Sequence, residues 1–279
     1  MRVLRTAAAV RAARAELAPP VGLVPTMGAL HEGHLSLLLR ARGECGSLVA
    51  SLFVNPAQFG PGEDFARYPR DEERDCRLFA EAGVDLLFAP ALEEIYPSGH
   101  ATTVAVTGAE ERPEGRSRPG HFAGVATVVT VLLSLLAPDR AYFGEKDAQQ
   151  LAVIGRLVRD LALPVEVVAC ATVREPDGLA LSSRNVYLSV EGRRQALSLS
   201  AGLRAAEAAF AGGMRDAEQL RGLVSERVSS QPLAVLDYVS LADGEMRGEI
   251  EGAVSAEAVL SVAARVGGTR LIDNVRLRP

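Results

Sequence analysis

Between residues 21 and 172 the chain carries short apolar runs separated by segments of helical periodicity. The runs are VGLVPT (21–26), SLVASLFV (47–54), VDLLFAP (84–90), TTVAV (102–106), RAYFG (140–144) and VEVVACAT (165–172). A strand with one wet face alternates apolar and polar residues, whereas a run that is apolar throughout suits a strand covered on both faces, as in a parallel sheet. Parallel neighbours need crossover connections, and the intervening segments have the pattern for them. HLSLLLRAR follows the first run. DEERDCRLFAEA (71–82) opens with acidic residues and stops at Gly83, the charge order and terminal glycine of a helix. Leu151, Ile154, Val158 and Leu161 recur every three or four residues before Pro164. The expectation is an α/β fold with a doubly wound parallel sheet.

From about residue 173 the pattern changes. Residues 190–229 read as two helices rich in Ala, Arg and Glu, followed by strand-like LDYVSLA (236–242), AVLSVAARV and TRLIDNVRL. The expected division is a first domain over residues 1–172 and a smaller α+β domain over 173–279. The longest apolar run, VATVVTVLLSLLA (125–137), is short of the roughly 20 residues that span a bilayer and reads as a core helix. The N-terminus lacks the residue order of a signal peptide. Cys45, Cys76 and Cys170 are scattered, odd in number and without a CxxC spacing, which disfavours a disulfide framework or a zinc site and suits a reducing cytoplasm. A net charge of −5 argues against a general nucleic-acid or membrane surface. If the ligand is an anion, its cations must be concentrated locally. Of the 30 basic residues all but Lys146 are arginine, so this one position keeps a compact point charge where the rest of the chain uses a planar fork.

The unusual polar residues follow strands, the edge at which open α/β sheets bind ligands. VGLVPT leads into TMGALHEGH, SLFV into NPAQF, AYFG into EKDAQQ, and VVACAT into VREPDGLALSSRN. In TMGALHEGH a helix is expected to start near Gly33–His34. A helix N-terminus with His31 and His34 beside it is a phosphate seat in which the imidazoles donate or gain protons near an anion, though two plain loop histidines would look the same. Zinc is disfavoured, because the His-Glu-Gly-His spacing is not His-Glu-x-x-His. In GEKDAQQ, Gly144 allows close backbone approach, Lys146 can reach a phosphate, Asp147 can accept from a ribose hydroxyl, and Gln150 can both donate and accept. The alternative there is an ordinary polar helix start with an Asp cap. The segment is not a Walker loop. In LSSRN, Ser182, Ser183 and Arg184 can surround phosphate oxygens, or form a simple Ser-rich turn. Asn55 and Gln58 suit a hydroxylated substrate, or a turn set by Pro56. His100 and His121, with Arg116 and Arg118, lie in glycine-flanked loops that read equally as site or surface.

Taken together, PTMGALHEGH, FVNPAQF, RPGHFAGV, FGEKDAQQ and VREPDGLALSSRN resemble the pantothenate synthetase family, within the His-x-Gly-His nucleotidyltransferase superfamily, over residues 21–190; DYVSL and GTRLIDN are compatible beyond. The resemblance implies a Rossmann-like first domain with a C-terminal lid, usually in a homodimer. It implies an ATP-dependent ligase that joins pantoate to β-alanine through a pantoyl adenylate, with Mg²⁺. Carried over, Met27, Gly28, Ala29, Leu30, His31, Glu32, Gly33 and His34 would bind ATP, with His34 the proton donor. Gly144, Glu145, Lys146, Asp147, Val173, Leu181, Ser182, Ser183 and Arg184 would also bind nucleotide. His31, His34, Lys146 and Arg184 would be catalytic. Gln58 and Gln150 would hold pantoate, with β-alanine near Gln58, and Asn55 is grouped with them; no protein ligand to a metal is implied. Leu181 stands where the family usually has Met, a swap that conserves apolar volume. Two rivals remain: a nucleotidyltransferase that stops after transferring AMP to a phosphate, disfavoured by the neutral Gln58 and Gln150, and a nonenzymatic ATP-sensing module, disfavoured by the full set of lysine, arginine, serines and histidines.

Overall fold

Six parallel strands pair in the order β1-β4-β3-β2-β5-β6 in the computed structural model, which describes residues Met1–Pro279. Along the chain, β1 (Arg2–Leu4) is followed by α1 (Ala7–Arg14), β2 (Val21–Thr26), α2 (Glu32–Glu44), β3 (Ser47–Leu52), α3 (Glu72–Glu81) and β4 (Leu86–Phe88). The short helices α4 (Leu92–Ile95) and α5 (Pro113–Ser117) come next, then α6 (His121–Leu136), β5 (Arg140–Gly144), α7 (Ala148–Asp160) and β6 (Glu166–Cys170). Strand order reverses between β2 and β5: from β2 the chain builds outward through β3 and β4, and from β5 it builds the other way through β6. That reversal opens a crevice at the carboxyl edge, where Met27 and Gly144 leave the sheet.

The apolar runs form strands because both faces are covered. Every residue of Ser47–Ala50 and of Val21–Val24 is buried. On one face Leu38 and Ala41 of α2 and Phe79 of α3 pack onto Val24, Leu48, Ala50, Leu87, Tyr142 and Val168. The run 125–137 is the heart of α6, with Val125, Ala126, Leu132 and Leu136 buried. α3 starts where its charge pattern predicts, with the Asp71 side chain accepting from the Arg74 amide at 3.0 Å.

One expected strand does not form. TTVAV (102–106) has no strand partner. The Val104 amide donates to Thr127 Oγ1 of α6 at 3.0 Å, and Val104 and Val106 pack on Phe122, Ala126 and Leu157. Its apolar residues serve a loop laid on a helix. Conversely β1, only three residues long, is too short to announce itself in sequence.

Contacts divide the chain into two units. Unit 1 is Met1–Glu111, Arg118–Glu145 and Val153–Ala171; unit 2 is Arg112–Ser117, Lys146–Ala152 and Thr172–Pro279. The units are therefore not two consecutive stretches: unit 2 also takes in α5 and the segment that carries Lys146 and Gln150. Its main body is α8 (Val190–Ala211) and α9 (Ala217–Ser229) with an antiparallel sheet of β7 (Ala234–Asp243), β8 (Ala258–Val266) and β9 (Thr269–Leu277). Leu199, Leu203, Leu220 and Val224 of the helices pack with Leu260, Val262 and Leu271 of the sheet. In this unit Arg270 makes a paired ion contact at 2.8 Å with Glu114, which also accepts from the Tyr238 phenol at 2.9 Å. No helix is long and apolar enough to cross a membrane.

Within unit 1, Gly124 of α6 lets the helix backbone touch the 3-10 turn Pro56–Gln58: a Cβ there would overlap the Ala57 carbonyl and lie 2.7 Å from the Gln58 nitrogen. Gly124→Ala is expected to lose about 3 kcal/mol of stability by overpacking. Gly155→Ala, in α7 with nothing within 4 Å of an added Cβ, is expected to gain about 0.5–1 kcal/mol from helix propensity. Denaturant unfolding of the two variants checks both signs.

Candidate active site

The loop after β2 turns sharply before α2. Gly28 (φ 82°) and Ala29 (φ 50°) are both left-handed, a conformation that is routine for the first and costly for the second. α2 then begins with histidines in the places of the usual capping residues. His31 is the N-cap, and its Nδ1 accepts from the Gly33 amide at 3.1 Å. His34, three residues on, accepts at Nδ1 from the His31 amide at 3.4 Å. This is the reciprocal geometry of a capping box, made with imidazoles in place of hydroxyl and carboxylate. Backbone N–H groups only donate, so both Nδ1 atoms are acceptors and both ring protons sit on Nε2. The rings stack with centroids 4.1 Å apart. In this hydrogen bonding they cap the helix through Nδ1 and carry their protons on Nε2 at its positive end.

The loop after β3 is fixed from several sides. Asn55 is 1% exposed, and its amide is fully used: Oδ1 accepts from the Ala57 amide at 3.2 Å and the Tyr96 phenol at 2.8 Å, while Nδ2 donates to the Gly124 carbonyl and to Gln58 Oε1, each at 3.1 Å. The Ala57 amide settles which atom of Asn55 is oxygen. Asn55 in turn settles Gln58, whose Oε1 must accept and whose Nε2 must donate. That Nε2 lies 3.1 Å from Met27 Sδ, a soft acceptor readily exchanged for a ligand oxygen. Asn55 therefore orients Gln58 through its side-chain amide. Burial pushes the Tyr96 phenol up, so it remains a donor to Asn55.

The backbone of Gln58 is held as well. Its carbonyl accepts from His121 Nδ1 at 2.8 Å and from Arg118 at 3.2 Å. Arg118 also donates to His121 Nε2 at 3.0 Å, so His121 is the opposite tautomer, with its proton on Nδ1. Glu63 completes the group with two 2.8 Å contacts to Arg118. Burial opposes a charge on Glu63, but the hydrogen bonds and charge of Arg118 outweigh it and hold the carboxyl below its ordinary range. That contribution to stability is present above the ordinary carboxylate pKa and is lost as pH falls through the lowered value. His100 stacks edge-on against Tyr96, with centroids 5.0 Å apart.

In unit 2, Lys146 and Asp147 lie in the 3-10 turn Glu145–Asp147, followed by Gln150 in the first turn of α7. The Lys146 side chain is half-buried and makes no ion pair, although arginines across the chain are extensively paired. Its carbonyl accepts from Asn274 Nδ2 of β9 at 2.8 Å. Asp273 beside it takes both nitrogens of Arg174, at 2.6 and 2.9 Å. A hairpin then brings Val173 alongside Leu181, whose amide donates to the Val173 carbonyl at 3.0 Å. Ser182 caps the 3-10 turn Ser183–Tyr187 by accepting from the Arg184 amide, and Asn185 is tied to Glu175 and to the Ala180 carbonyl.

Unit 1 thus brings together Met27–His34, Asn55 and Gln58, with Gly144 and Glu145 at the end of β5. Unit 2 gathers Lys146, Asp147 and Gln150 in one segment, and Val173 and Leu181–Arg184 in another. Sequence reasoning missed Tyr96, Asp273, Asn274 and Arg174, and left Arg118 and His121 undecided. A signal was present for Asn274: it is the third of only three asparagines, and the other two already mark site loops. The side-chain ¹⁵N signals of the histidines check the site's wiring. His31 and His34 are expected to show an acceptor-type Nδ1 and His121 an acceptor-type Nε2; a protonated Nδ1 on His31 or His34 would contradict the capping geometry.

A family model described as pantoate-beta-alanine ligase matches residues 2–276. Pantothenate synthetase from Herpetosiphon aurantiacus is 53% identical over 275 residues, 99% of this chain and 99% of the relative. That from Roseiflexus sp. is 54% identical over 274 residues, 98% of each chain. Among solved structures, pantothenate synthetase from Thermus thermophilus superposes with a TM-score of 0.95 at 52% identity, covering 100% of both chains. Pantoate-beta-alanine ligase from Francisella tularensis, complexed with beta-gamma ATP and beta-alanine, superposes with a TM-score of 0.80 at 33% identity over 99% of this chain and 97% of that one. The fold, the motif loops and the full-length matches agree: the chain belongs to the pantoate–β-alanine ligase family.

Proposed function

We propose that the enzyme condenses pantoate with β-alanine in two steps at the expense of ATP. A carboxylate resists attack by an amine because oxide is its leaving group. In the first step a pantoate carboxylate oxygen attacks the α-phosphorus of ATP, the bond to the β-phosphate oxygen breaks, and pyrophosphate leaves. In the second the β-alanine amine attacks the acyl carbon of pantoyl adenylate, the acyl–oxygen bond breaks, AMP leaves, and the amine loses a proton. The observation that carries this reading is the pair of capped imidazoles at the start of α2, which present fixed Nε2–H donors where phosphate charge grows. Phosphoryl transfer depends mostly on such positioning and electrostatics.

In this reading Lys146 contributes an unpaired ammonium and Arg184 a bidentate fork to the phosphates, while Met27–His34, Gly144–Asp147, Val173 and Leu181–Arg184 hold the nucleotide. Gln58 offers its Nε2 to a pantoate oxygen, with Gln150 as its partner in holding that substrate. No group of three or more carboxylate, histidine or thiol side chains is arranged to hold a metal ion. In this reading magnesium enters with the substrate as Mg·ATP, held by phosphate oxygens and water, which suits its reluctance to dehydrate. An acyl adenylate hydrolyses readily, so water has to be excluded. We assign that duty to a C-terminal lid, residues 173–279. A homodimer in the cytoplasm completes the proposal; the three free cysteines suit a reducing compartment.

Loss of one charge-stabilising donor costs about 10²–10³ in rate. Lys146→Ala and His34→Ala are each expected to fold normally and to lose at least that much pantoate-dependent ATP–pyrophosphate exchange; near-native exchange would remove the residue from the machinery. Lys146→Arg is expected to be comparably impaired, because the fork places the charge differently. Supplying ATP, pantoate and β-alanine and assaying AMP with the amide tests the whole reaction: a stable adenylyl product without amide would favour a plain nucleotidyltransferase, and ATP binding with no product a sensor.

A further inference from the structure

The turn that delivers His31 and His34 is not held in place by packing alone. Met27 and Gly28 border a cavity of about 400 Å³ whose other walls include Leu52, Phe53 and Leu92. Two successive left-handed residues, Gly28 and Ala29, need something to hold them. That something is Asp75, in the first turn of α3 and 46 residues away from Ala29 in sequence. Its Oδ2 accepts from the Ala29 amide at 2.8 Å and its Oδ1 from the Leu30 amide at 2.9 Å. Adjacent N–H groups of a turn form an anion seat, and here the anion is supplied by the protein itself. The carboxylate is 1% exposed, and its nearest cation, on Arg74, stands 3.8 Å off. A buried carboxylate requires such hydrogen bonds, so turn and carboxylate fix each other. A Cβ on Gly28 would lie 2.8 Å from Asp75 Oδ2, so glycine at 28 is part of the same fit. The residue after Leu30 is His31, the N-cap of α2.

We infer that Asp75 is a positioning residue: by chelating the Ala29 and Leu30 amides it fixes the turn that aims the two capped imidazoles. The consequence for catalysis rests on the function proposed above; the clamp stands on geometry alone. It also means that the Ala29 and Leu30 amides are already occupied, and that any nucleotide contact in this stretch is made by other atoms.

Asp75→Asn keeps the size of the side chain but turns an N–H donor toward one of the two amides. It is expected to fold with full active-site content and a lowered melting temperature, since one buried amide loses its acceptor. Exchange is expected to fall roughly 10–100-fold in kcat, the scale of a misplacement of about 1 Å, with KM for pantoate within about twofold of native. The His31 and His34 ¹⁵N signals are expected to shift or broaden while those of His121 stay put. Arg74→Gln, which leaves both hydrogen bonds in place, is expected to resemble the native enzyme. Unchanged kcat in Asp75→Asn, or an equal disturbance of His31, His34 and His121, would overturn the proposal. Should the variant not fold, amide exchange in the native enzyme decides: slow exchange at Ala29 and Leu30 is expected, and the rapid exchange of an open turn would overturn it. Should the native enzyme show no pyrophosphate exchange, the adenylate step fails, but the histidine signals and amide exchange still test the clamp, and amide synthesis replaces exchange as the rate.

Discussion

Strand β2 lies between β3 and β5, and the unit 1 site depends on that placement. All six strands of the sheet are parallel, so their carboxyl ends share one edge, and the order reverses beside β2. Met27–His34, Asn55–Gln58 and Gly144 leave the sheet there for one topological reason. The pairing is held by burial on both faces, with Val24, Leu48 and Leu87 under Leu38 and Phe79. The dry sheet lets neighbouring loops be specified to within hydrogen-bond distances, because strands cannot slide without exposing apolar side chains.

On this scaffold, polar groups are consumed in order to orient other polar groups. Asn55 gives up its whole amide to set the polarity of Gln58. His121 and Arg118 spend hydrogen bonds on the Gln58 carbonyl. His31 and His34 commit Nδ1 to backbone amides and so fix their protons on Nε2. Asp75 commits both oxygens to the turn before them. Each is an interaction made within the protein itself, so these groups hold their orientation without a ligand. The division between arginine and lysine follows the same logic. Arg118, Arg174, Arg193 and Arg270 sit in paired contacts with carboxylates, and the planar fork suits such fixed structural duties. The single lysine is half-buried and makes no ion pair.

Much of this was readable before any coordinates. Unbroken apolar runs announced the parallel sheet, and polar residues placed directly after them announced the loops. TTVAV misled because a short apolar run reports burial, which a loop packed on α6 also provides. The roles of Asn55, Asp75 and Asn274 were not readable. Each acts on a group 3 to 128 residues away, and nothing in a residue's own neighbourhood says which distant amide or carbonyl it will meet.

By itself the sequence determined the fold class and the family, because local periodicity and ordered motifs are properties of short stretches. The tertiary structure decided which atoms of those residues are committed within the protein and which way the others face. The Asn55 side chain is the orienter of Gln58. His31 and His34 became capped donors. Asp75, one acid among many on a helix, became the clamp of their turn. Hydrogen-bond direction depends on the partner, and partners are assigned only when the chain has folded.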